Sequence, residues 1–326
     1  MSSKRPTLAD VAAAAHVSTA AVSRVVNGAP GVSAETREHV RRVIARLGYR
    51  PDPAARALAN GHGSIVELFI VDEPGIFGTS PYYGRVTAGI LRELAGEAQL
   101  RVHVVEEHRA AEALRTITAS VGLVLINVPP GLAEQTYARC ERMVSMGPSG
   151  RGVPYVDMAN EEGAYAAIRH LHETGRRRIA ALHGQEGNPC ADARRAGYGR
   201  AIRELGLADI SAIGKLRREA GYELALRLLA EQPGIDAFFV GCDLMATGTM
   251  QALADAGRRV PADVAVVGFD DSVIAVSTTP PLSSVHQPVE AMAAAATRAL
   301  VRRELAPHWR LVFPASLQVR QSSAAG

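Results

Sequence analysis

Little in this chain invites covalent or metal chemistry. Its three cysteines, Cys140, Cys190 and Cys242, are odd in number and far apart, with no C-x-x-C pair. Such spacing suits buried thiols in a reducing compartment better than a disulfide framework or a zinc site. Among ten histidines, His170 and His172 stand two apart and cannot share a helix face as paired ligands would. There is no G-x-S-x-G, no P-loop and no G-x-G-x-x-G following a strand. Turnover and a bound cofactor are therefore not expected. No apolar run reaches membrane-spanning length, and the leading SSKRPTLAD lacks the apolar core of a signal peptide. A cytoplasmic protein with no membrane partner is the expectation.

What is present is globular: 47% hydrophobic and 21% charged residues, without a low-complexity tract. At 326 residues the chain exceeds one ordinary core, so two or three domains are expected. The net charge of +3 is unevenly spread. Residues 1–60 carry nine Lys and Arg against four Asp and Glu, a net +5, which leaves the rest at −2. The N-terminal part is basic enough to seek a polyanion, and the remainder is not.

Within that basic part, TLADVAAAAHVSTAAVSRVVN (7–27) reads as two short helices around a turn at His16-Val17. Thr7 and Asp10 form a capping box, and Ser18 caps the second helix with Val17 and Val22 as its staple. Val22, Val25 and Val26 face inward, while Thr19, Ala20, Ser23, Arg24 and Asn27 point outward. Short polar groups and one Arg on a compact helix suit entry into a major groove about 12 Å wide. The competing reading is an alanine-rich helical hairpin. A third helix follows, capped by Ser33, with Val40, Val43, Ile44 and Leu47 at i, i+3, i+4, i+7 spacing, and Gly48 as its stop. Its Arg37, Arg41, Arg42 and Arg46 form a solvated face from which one or two residues could reach phosphate.

Asp52, Pro53 and Gly61 bracket a helix of about two turns, marginal in water by itself. Leu58 within it has no evident core partner. It suits a wedge between base pairs from the minor groove, or equally a contact in a plain linker helix. From Ser64 the runs SIVELFIV, LRVHVVE, VGLVLINV, RIAALHG, DAFFVG and VAVVGFD read as buried parallel strands alternating with helices. So many strands imply two doubly wound α/β lobes with a cleft between them, where ligands bind beyond the carboxyl ends of the strands.

TLADVAAAAHVSTAAVSRVVNG, VSAETREHV, LGYRPDPAARAL, RRAGYGRAI, DLMATGTMQAL, VPADVAVVGFDD and PPLSSVHQP, in that order, resemble segments of the lac-repressor/galactose-repressor family along nearly the whole chain. The resemblance implies an all-α helix-turn-helix headpiece (1–50), a hinge helix (51–62) and a two-lobed core like periplasmic sugar-binding proteins (63–326). It implies a dimer reading a pseudo-palindromic double-stranded DNA operator under control of a small molecule, by default a hexose or its phosphate. Thr19 and Ala20 match the base-reading pair, Arg24 the guanine reader, and Leu58 the hinge leucine; Ser23, Asn27 and Arg56 complete the implied DNA contacts. The hinge departs from N-A-L-A-R-S-L, reading D-P-A-A-R-A-L.

For the effector, the resemblance implies Arg194 as a forked grip on a hydroxyl or carboxylate. It implies Asp243 and Asp270 as acceptors and Tyr82 or Tyr83 as the aromatic contact. Asn160 stands where the family's V-D-N reads A-N, so one carboxylate is missing. Leu216 replaces a covering aromatic ring. Two other readings stay open: a DNA-binding regulator whose core senses a partner protein, and a cytoplasmic solute-binding protein. No leucine heptad follows the strand-like Leu311–Val319, so a dimer is expected rather than a tetramer.

Overall fold

The structure, a computed structural model, describes residues 7–26, 30–47, 49, 65–96, 98–117 and 121–324. The chain divides into two compact units, one of residues 1–64 with 96–98, the other of 65–95 and 99–326. The expected hinge at 51–62, with Arg56 and Leu58, lies outside the described residues, as do Asn27 and Gly48.

In the first unit, α1 (Leu8–Ala15), α2 (Thr19–Val26) and α3 (Ala34–Leu47) close a small core. Thr7 Oγ1 accepts from the Asp10 amide at 3.3 Å, while the Thr7 amide donates to Asp10 Oδ2 at 2.7 Å, completing the capping box. His16 takes a left-handed conformation, φ 51°, to turn the chain, and Ser18 Oγ accepts from the Ala21 amide at 3.1 Å. Val11, Ala12, Ala15, Val22, Val25, Val40 and Val43 are buried together, with Leu8, Val17, Val26, Ile44 and Leu47 packed around them. Short β-branched and alanine side chains let three helices approach closely, and each apolar position named from sequence joins this one core.

The second unit holds two parallel sheets. Lobe 1 is built from β1 (Ile65–Val71), α4 (Pro74–Thr79), α5 (Pro81–Leu94), β2 (Gln99–Val105), α6 (Glu107–Thr116), β3 (Gly122–Ile126), α7 (Pro130–Tyr137), β4 (Met143–Met146) and β5 (Tyr155–Met158). Lobe 2 comprises α8 (Asn160–Glu173), β6 (Ile179–His183), α9 (Pro189–Leu205), β7 (Ile210–Ile213), α10 (Arg218–Glu231), β8 (Ala237–Val240), α11 (Asp243–Asp255), β9 (Ala265–Asp270), α12 (Val273–Ser277) and β10 (Ser283–His286). The chain then returns to lobe 1 as α13 (Val289–Arg302) and β11 (Arg310–Phe313), and crosses again to end lobe 2 with β12 (Ser316–Gln318). Strand orders are β11-β5-β4-β3-β1-β2 and β12-β10-β9-β8-β6-β7. All pairings are parallel except β10 with β12.

Three crossovers therefore join the lobes, at Ala159, at Gln287-Pro288 and at Pro314-Ala315. Leu311–Val319 is not the single strand its apolar pattern suggests. Pro314 cannot donate to a ladder, and the chain changes sheets there. Lobe 2 packs tightly enough that a Cβ on Gly248 would lie 1.9 Å from the Arg218 carbonyl, which fixes how closely α11 approaches α10. Of the cysteines, Cys242 is buried, whereas Cys140 and Cys190 are only half-buried. Among the described residues no helix is long and apolar enough to cross a membrane, and no cluster of three metal-ligating side chains occurs.

Candidate functional site

A cleft between the lobes is lined from both sides, and its inner chamber has a volume of about 110 Å³. Lobe 1 brings Asp72 from the end of β1, Tyr82, Tyr83 and Arg85 from the first turns of α5, and Asn127 from the end of β3. Lobe 2 brings Asn188, Cys190 and Arg194 from α9 and the loop before it, Leu216 from the loop after β7, and Asp270, Ser272 and Gln287. Most of these follow the carboxyl ends of strands, where exposed backbone and short loops leave room for a ligand.

Arg194 is the centre of lobe 2's wall, only 6% exposed. Its Nε donates to Asn160 Oδ1 (2.9 Å), its Nη1 to the Gly241 carbonyl (2.6 Å) and Asp270 Oδ1 (3.4 Å), and its Nη2 to Gln287 Oε1 (3.1 Å). The guanidinium lies 3.7 Å from the Phe269 ring centroid, a cation–π contact in a dry setting. Four of the five N–H donors of this side chain have protein acceptors here. What remains for a ligand is one Nη2 hydrogen, not the free fork that the family resemblance implies.

Asp270 ends β9 with φ 101° and Asp271 follows at φ 49°, so two successive non-glycine residues occupy the left-handed region. Such residues cost about 1–3 kcal/mol each and persist only where surroundings hold them. Here Arg85 Nη1 donates to the Asp270 carbonyl at 3.0 Å, and the Asp271 carboxylate accepts from Arg320 Nη2 (2.6 Å) and binds His286 Nδ1 (2.9 Å). Burial raises the Asp270 carboxyl above the usual range, opposed by the charges of Arg194 and Arg85.

Asp243 behaves differently from the expectation. It does not line the chamber. Its Oδ2 accepts from the Ser272 amide (2.7 Å) and hydroxyl (2.9 Å), and its Oδ1 from the Ser284 hydroxyl (2.6 Å). Nor does it cap its helix: Cys242 occupies that position, with Sγ accepting from the Met245 amide. Burial, then the neighbouring Asp270, raises its carboxyl. Asp243 thus fastens the loop that carries Ser272 into the cleft. Asn160 is likewise set back. It is 2% exposed, reaches Arg194 through Oδ1, and donates through Nδ2 to Asp157 Oδ1 at 2.9 Å. Asp157 supplies a carboxylate near the crossover, but behind Cys190 rather than facing the chamber.

Both tyrosines face the chamber. The Tyr83 hydroxyl donates to Asp72 Oδ2 and accepts from Asn127 Nδ2 at 3.2 Å. Tyr82 stands edge-on to it, ring centroids 5.6 Å apart, and burial pushes both phenols well above their ordinary range. Asn188 Nδ2 then donates across the cleft to Asn127 Oδ1 at 3.1 Å. Asp72, Arg85, Asn127, Asn188, Ser272 and Gln287 were not singled out from the sequence. Asp72 and Asn127 lie just past the ends of β1 and β3, where ligand-facing side chains of such sheets are found. Gln287 lies within PPLSSVHQP, a segment to which the resemblance assigns no side-chain role.

In the first unit, Thr19, Ala20 and Arg24 are exposed on α2, and Ser23 is half-buried beside them. Val22 and Val25 of the same helix are buried, so a single short helix separates a packed side from a displayed one.

Comparison with known proteins matches residues 7–52 to the bacterial regulatory proteins of the lacI family, and residues 168–323 to a periplasmic binding protein-like domain. The HTH-type transcriptional regulator CelR of Thermobifida fusca is 34% identical over 98% of this chain and 98% of its own. Catabolite control protein A of Priestia megaterium is 30% identical over 97% of this chain and 99% of its own. Among solved structures, a complex of the transcriptional regulator CelR with cellobiose superposes with TM-score 0.73 at 32% identity, covering 98% of this chain and 100% of that one. The lac repressor dimer bound to operator and the anti-inducer ONPF gives TM-score 0.72 at 27% identity, covering 98% and 99%. With relatives collinear from the first helix to the last strand, this chain belongs to the LacI family of bacterial regulatory proteins.

Proposed function

We propose that the protein is a repressor that binds a pseudo-palindromic operator as a homodimer and is controlled by a neutral sugar held between the lobes of its core. The observation that carries this reading is one chain holding both a basic three-helix unit, with Thr19, Ala20 and Arg24 on its displayed side, and a two-lobed unit with a polar chamber. Collinearity with a regulator solved with cellobiose and with an operator-bound repressor dimer supports both halves.

Arg24 is suited to bridge guanine O6 and N7, Thr19 and Ala20 to meet neighbouring base edges, and Ser23 to hold a phosphate. In the chamber, Asp270 and Asp72 serve as acceptors for hydroxyls. Arg194, Asn127, Asn188 and Gln287 supply donors, and Tyr82 with Leu216 gives the apolar contact. Asn160 and Asp243 act through Arg194 and Ser272. Neutral sugar is favoured over sugar phosphate because both cations of the chamber, Arg85 and Arg194, already hold protein acceptors, while Asp72 and Asp270 add negative charge. The two lobes close on the ligand and thereby set the spacing of the paired DNA-binding units.

Genomic footprinting of the full chain locates its operators. Gel-shift assays on those sites, with and without glucose, cellobiose and maltose, then test control. Binding to a two-fold repeated site, altered at least several-fold by one of the sugars, is expected. A protein that protects no specific site, or one unaffected by any saccharide while responding to a protein partner, overturns the reading.

A further inference from the structure

Lobe 2 has a second charged face, at the end of its sheet opposite the cleft. The cleft residues follow the carboxyl ends of β6, β8 and β9, whereas segments 174–178, 232–236 and 256–264 lead into the amino ends of the same strands. Ile179 pairs with Ala237, and Ala237 with Ala265. Neighbouring strands lie about 4.8 Å apart, so the three segments enter the sheet within about 10 Å of one another. β6 has five residues and is therefore about 16 Å long, which keeps this face clear of the chamber.

The three segments carry Arg176, Arg177, Arg178, Arg258 and Arg259 against Asp236 and Asp263, a net +3 within residues 61–326, whose overall charge is −2. Asp263 accepts a fork from Arg259, with Nε at 2.9 Å and Nη2 at 2.7 Å. Asp236 accepts from the main-chain amides of Arg177 and Arg178, at 2.8 and 3.0 Å. The other four guanidiniums hold neutral acceptors: Arg176 the Pro261 carbonyl (2.6 Å), Arg177 the His172 carbonyl (2.7 Å), Arg178 the Gln232 side chain (2.7 Å) and Arg258 the Pro233 carbonyl (3.1 Å). Among the described residues none of these four is paired with a carboxylate. Helices α8, α10 and α11 end beside the segments, and their carbonyl ends attract cations, which accounts for the placing of the arginines. It does not neutralise them. Arg177, Arg178 and Arg258 are exposed, and each engages a single terminal nitrogen out of five N–H donors.

The core of a protein interface is apolar, yet none of the large apolar side chains exposed among the described residues lies in these segments. Forked cations without an apolar anchor suit a run of phosphates, and duplex DNA presents about six of them in 10 Å of its length. We infer that this face of lobe 2 holds a second DNA segment by its phosphate backbone, without regard to sequence, so that a protein seated on its operator bridges to another duplex. The contacts come from Arg177, Arg178 and Arg258, since Arg176 is half-buried and Arg259 is neutralised. The bridging, though not the face itself, rests on the operator reading given above.

The test immobilises an operator duplex found by footprinting, loads the full chain at low salt, and passes a labelled random-sequence duplex over it. Wild type should capture that second duplex. The triple variant Arg177→Gln, Arg178→Gln, Arg258→Gln should load on the operator equally and capture at least several-fold less, while replacement of the same three by Lys should retain most of the capture. Captured duplex should be lost with salt at about 0.9 per phosphate contact in the log–log slope, nearly three for three arginines. A Gln variant that captures as much as wild type overturns the face, as does a wild type that captures none. A Lys variant as deficient as the Gln one overturns its electrostatic basis, and tighter binding to phosphatidylserine vesicles than to duplex overturns the choice of DNA. If no operator retains the protein, the operator reading fails by itself. The full chain tethered through its N-terminus then decides the face, by whether wild type captures more random duplex than the Gln variant.

Discussion

Arg85 and Asp270 sit on opposite lobes, yet Arg85 Nη1 donates to the Asp270 main-chain carbonyl at 3.0 Å. The same guanidinium donates from Nη2 to the Gln287 carbonyl at 2.9 Å and forks onto Glu290 at 2.8 Å through Nε and Nη2. One side chain of lobe 1 thus grips the strained turn in the cleft, a crossover between lobes and the first turn of α13. A hydrogen bond from a charged donor contributes about 1.5–3 kcal/mol, comparable with the cost of about 1–3 kcal/mol for a non-glycine residue at positive φ. Without Arg85 the turn has reason to relax.

Arg85→Met is therefore expected to weaken saccharide binding by about tenfold or more through loss of the Asp270 geometry. Glu290→Gln removes the fork's charge but leaves both carbonyl contacts, and should weaken binding much less. Titration of both variants with the tightest-binding sugar decides it. Equal losses in the two would mean that the ion pair, and not the turn, matters.

His183 closes β6 at 2% exposure, edge-on to Tyr198, and neither ring nitrogen has a hydrogen-bond partner. A buried donor without an acceptor costs about 1–3 kcal/mol, so His183→Leu should raise the stability of the core by on the order of 1 kcal/mol after its packing change. Burial lowers the imidazole pKa from 6.5 to about 4, helped by the charge of Arg195. Below about pH 6.5 the unfolded chain therefore binds a proton that the folded one refuses, and stability is lost as pH falls toward 4. The loss from this group is bounded at about 3 kcal/mol. Thermal unfolding across that range should be less steep in pH for His183→Leu, and parallel curves for variant and wild type would count against the assignment.

Asp270 and Asp243 act with the opposite sign on folding, since burial raises both carboxyls and the folded state holds their protons more readily. For ligand binding the consequence is specific. In the proposed complex a sugar hydroxyl would donate to the Asp270 carboxylate, an acceptor that protonation removes. Affinity should decline as pH falls from about 8 to about 5, and Asp270→Asn should weaken binding while flattening that decline. A pH profile unchanged by the substitution would place the titrating group elsewhere.

How much of this was legible in the sequence depended on how local the cause was. β3 and β8 announce themselves as unbroken apolar runs, and β1, β6 and β9 as apolar runs interrupted or ended by a single polar residue, Glu67, His183 or Asp270. β4, β5, β7 and β10 have only four residues each and include Ser145, Asp157, Ser211 or Ser283, so no run marks them. The capping of α1 and α2 was readable because cap and partner lie three residues apart. The cleft was readable in part. Arg194, Asp270, Tyr82, Tyr83 and Leu216 do meet in it, whereas Asp243 and Asn160 stand behind it. Arg85 was invisible because its partners lie 185 to 205 positions away, and only the folded chain brings them together.

The DNA-binding half offers a prediction that separates reading from attraction. Arg24 is exposed on α2, while the cations of α3, Arg41, Arg42 and Arg46, are exposed on another helix of the same unit. A guanine read by a forked Arg contributes about 1–3 kcal/mol of discrimination, whereas a phosphate contact adds the same attraction on any sequence. Arg24→Ala should thus cost operator affinity at one base position, leave affinity for random DNA nearly unchanged, and let other bases replace that guanine. Arg42→Ala, if it loses a phosphate contact, should weaken operator and random DNA together and reduce the slope of binding against salt by about one. Gel shifts on operator and scrambled duplexes over a salt series distinguish the two patterns. A uniform loss for Arg24→Ala would move that residue from base reader to backbone contact, and shift the specificity of α2 onto Thr19 and Ala20.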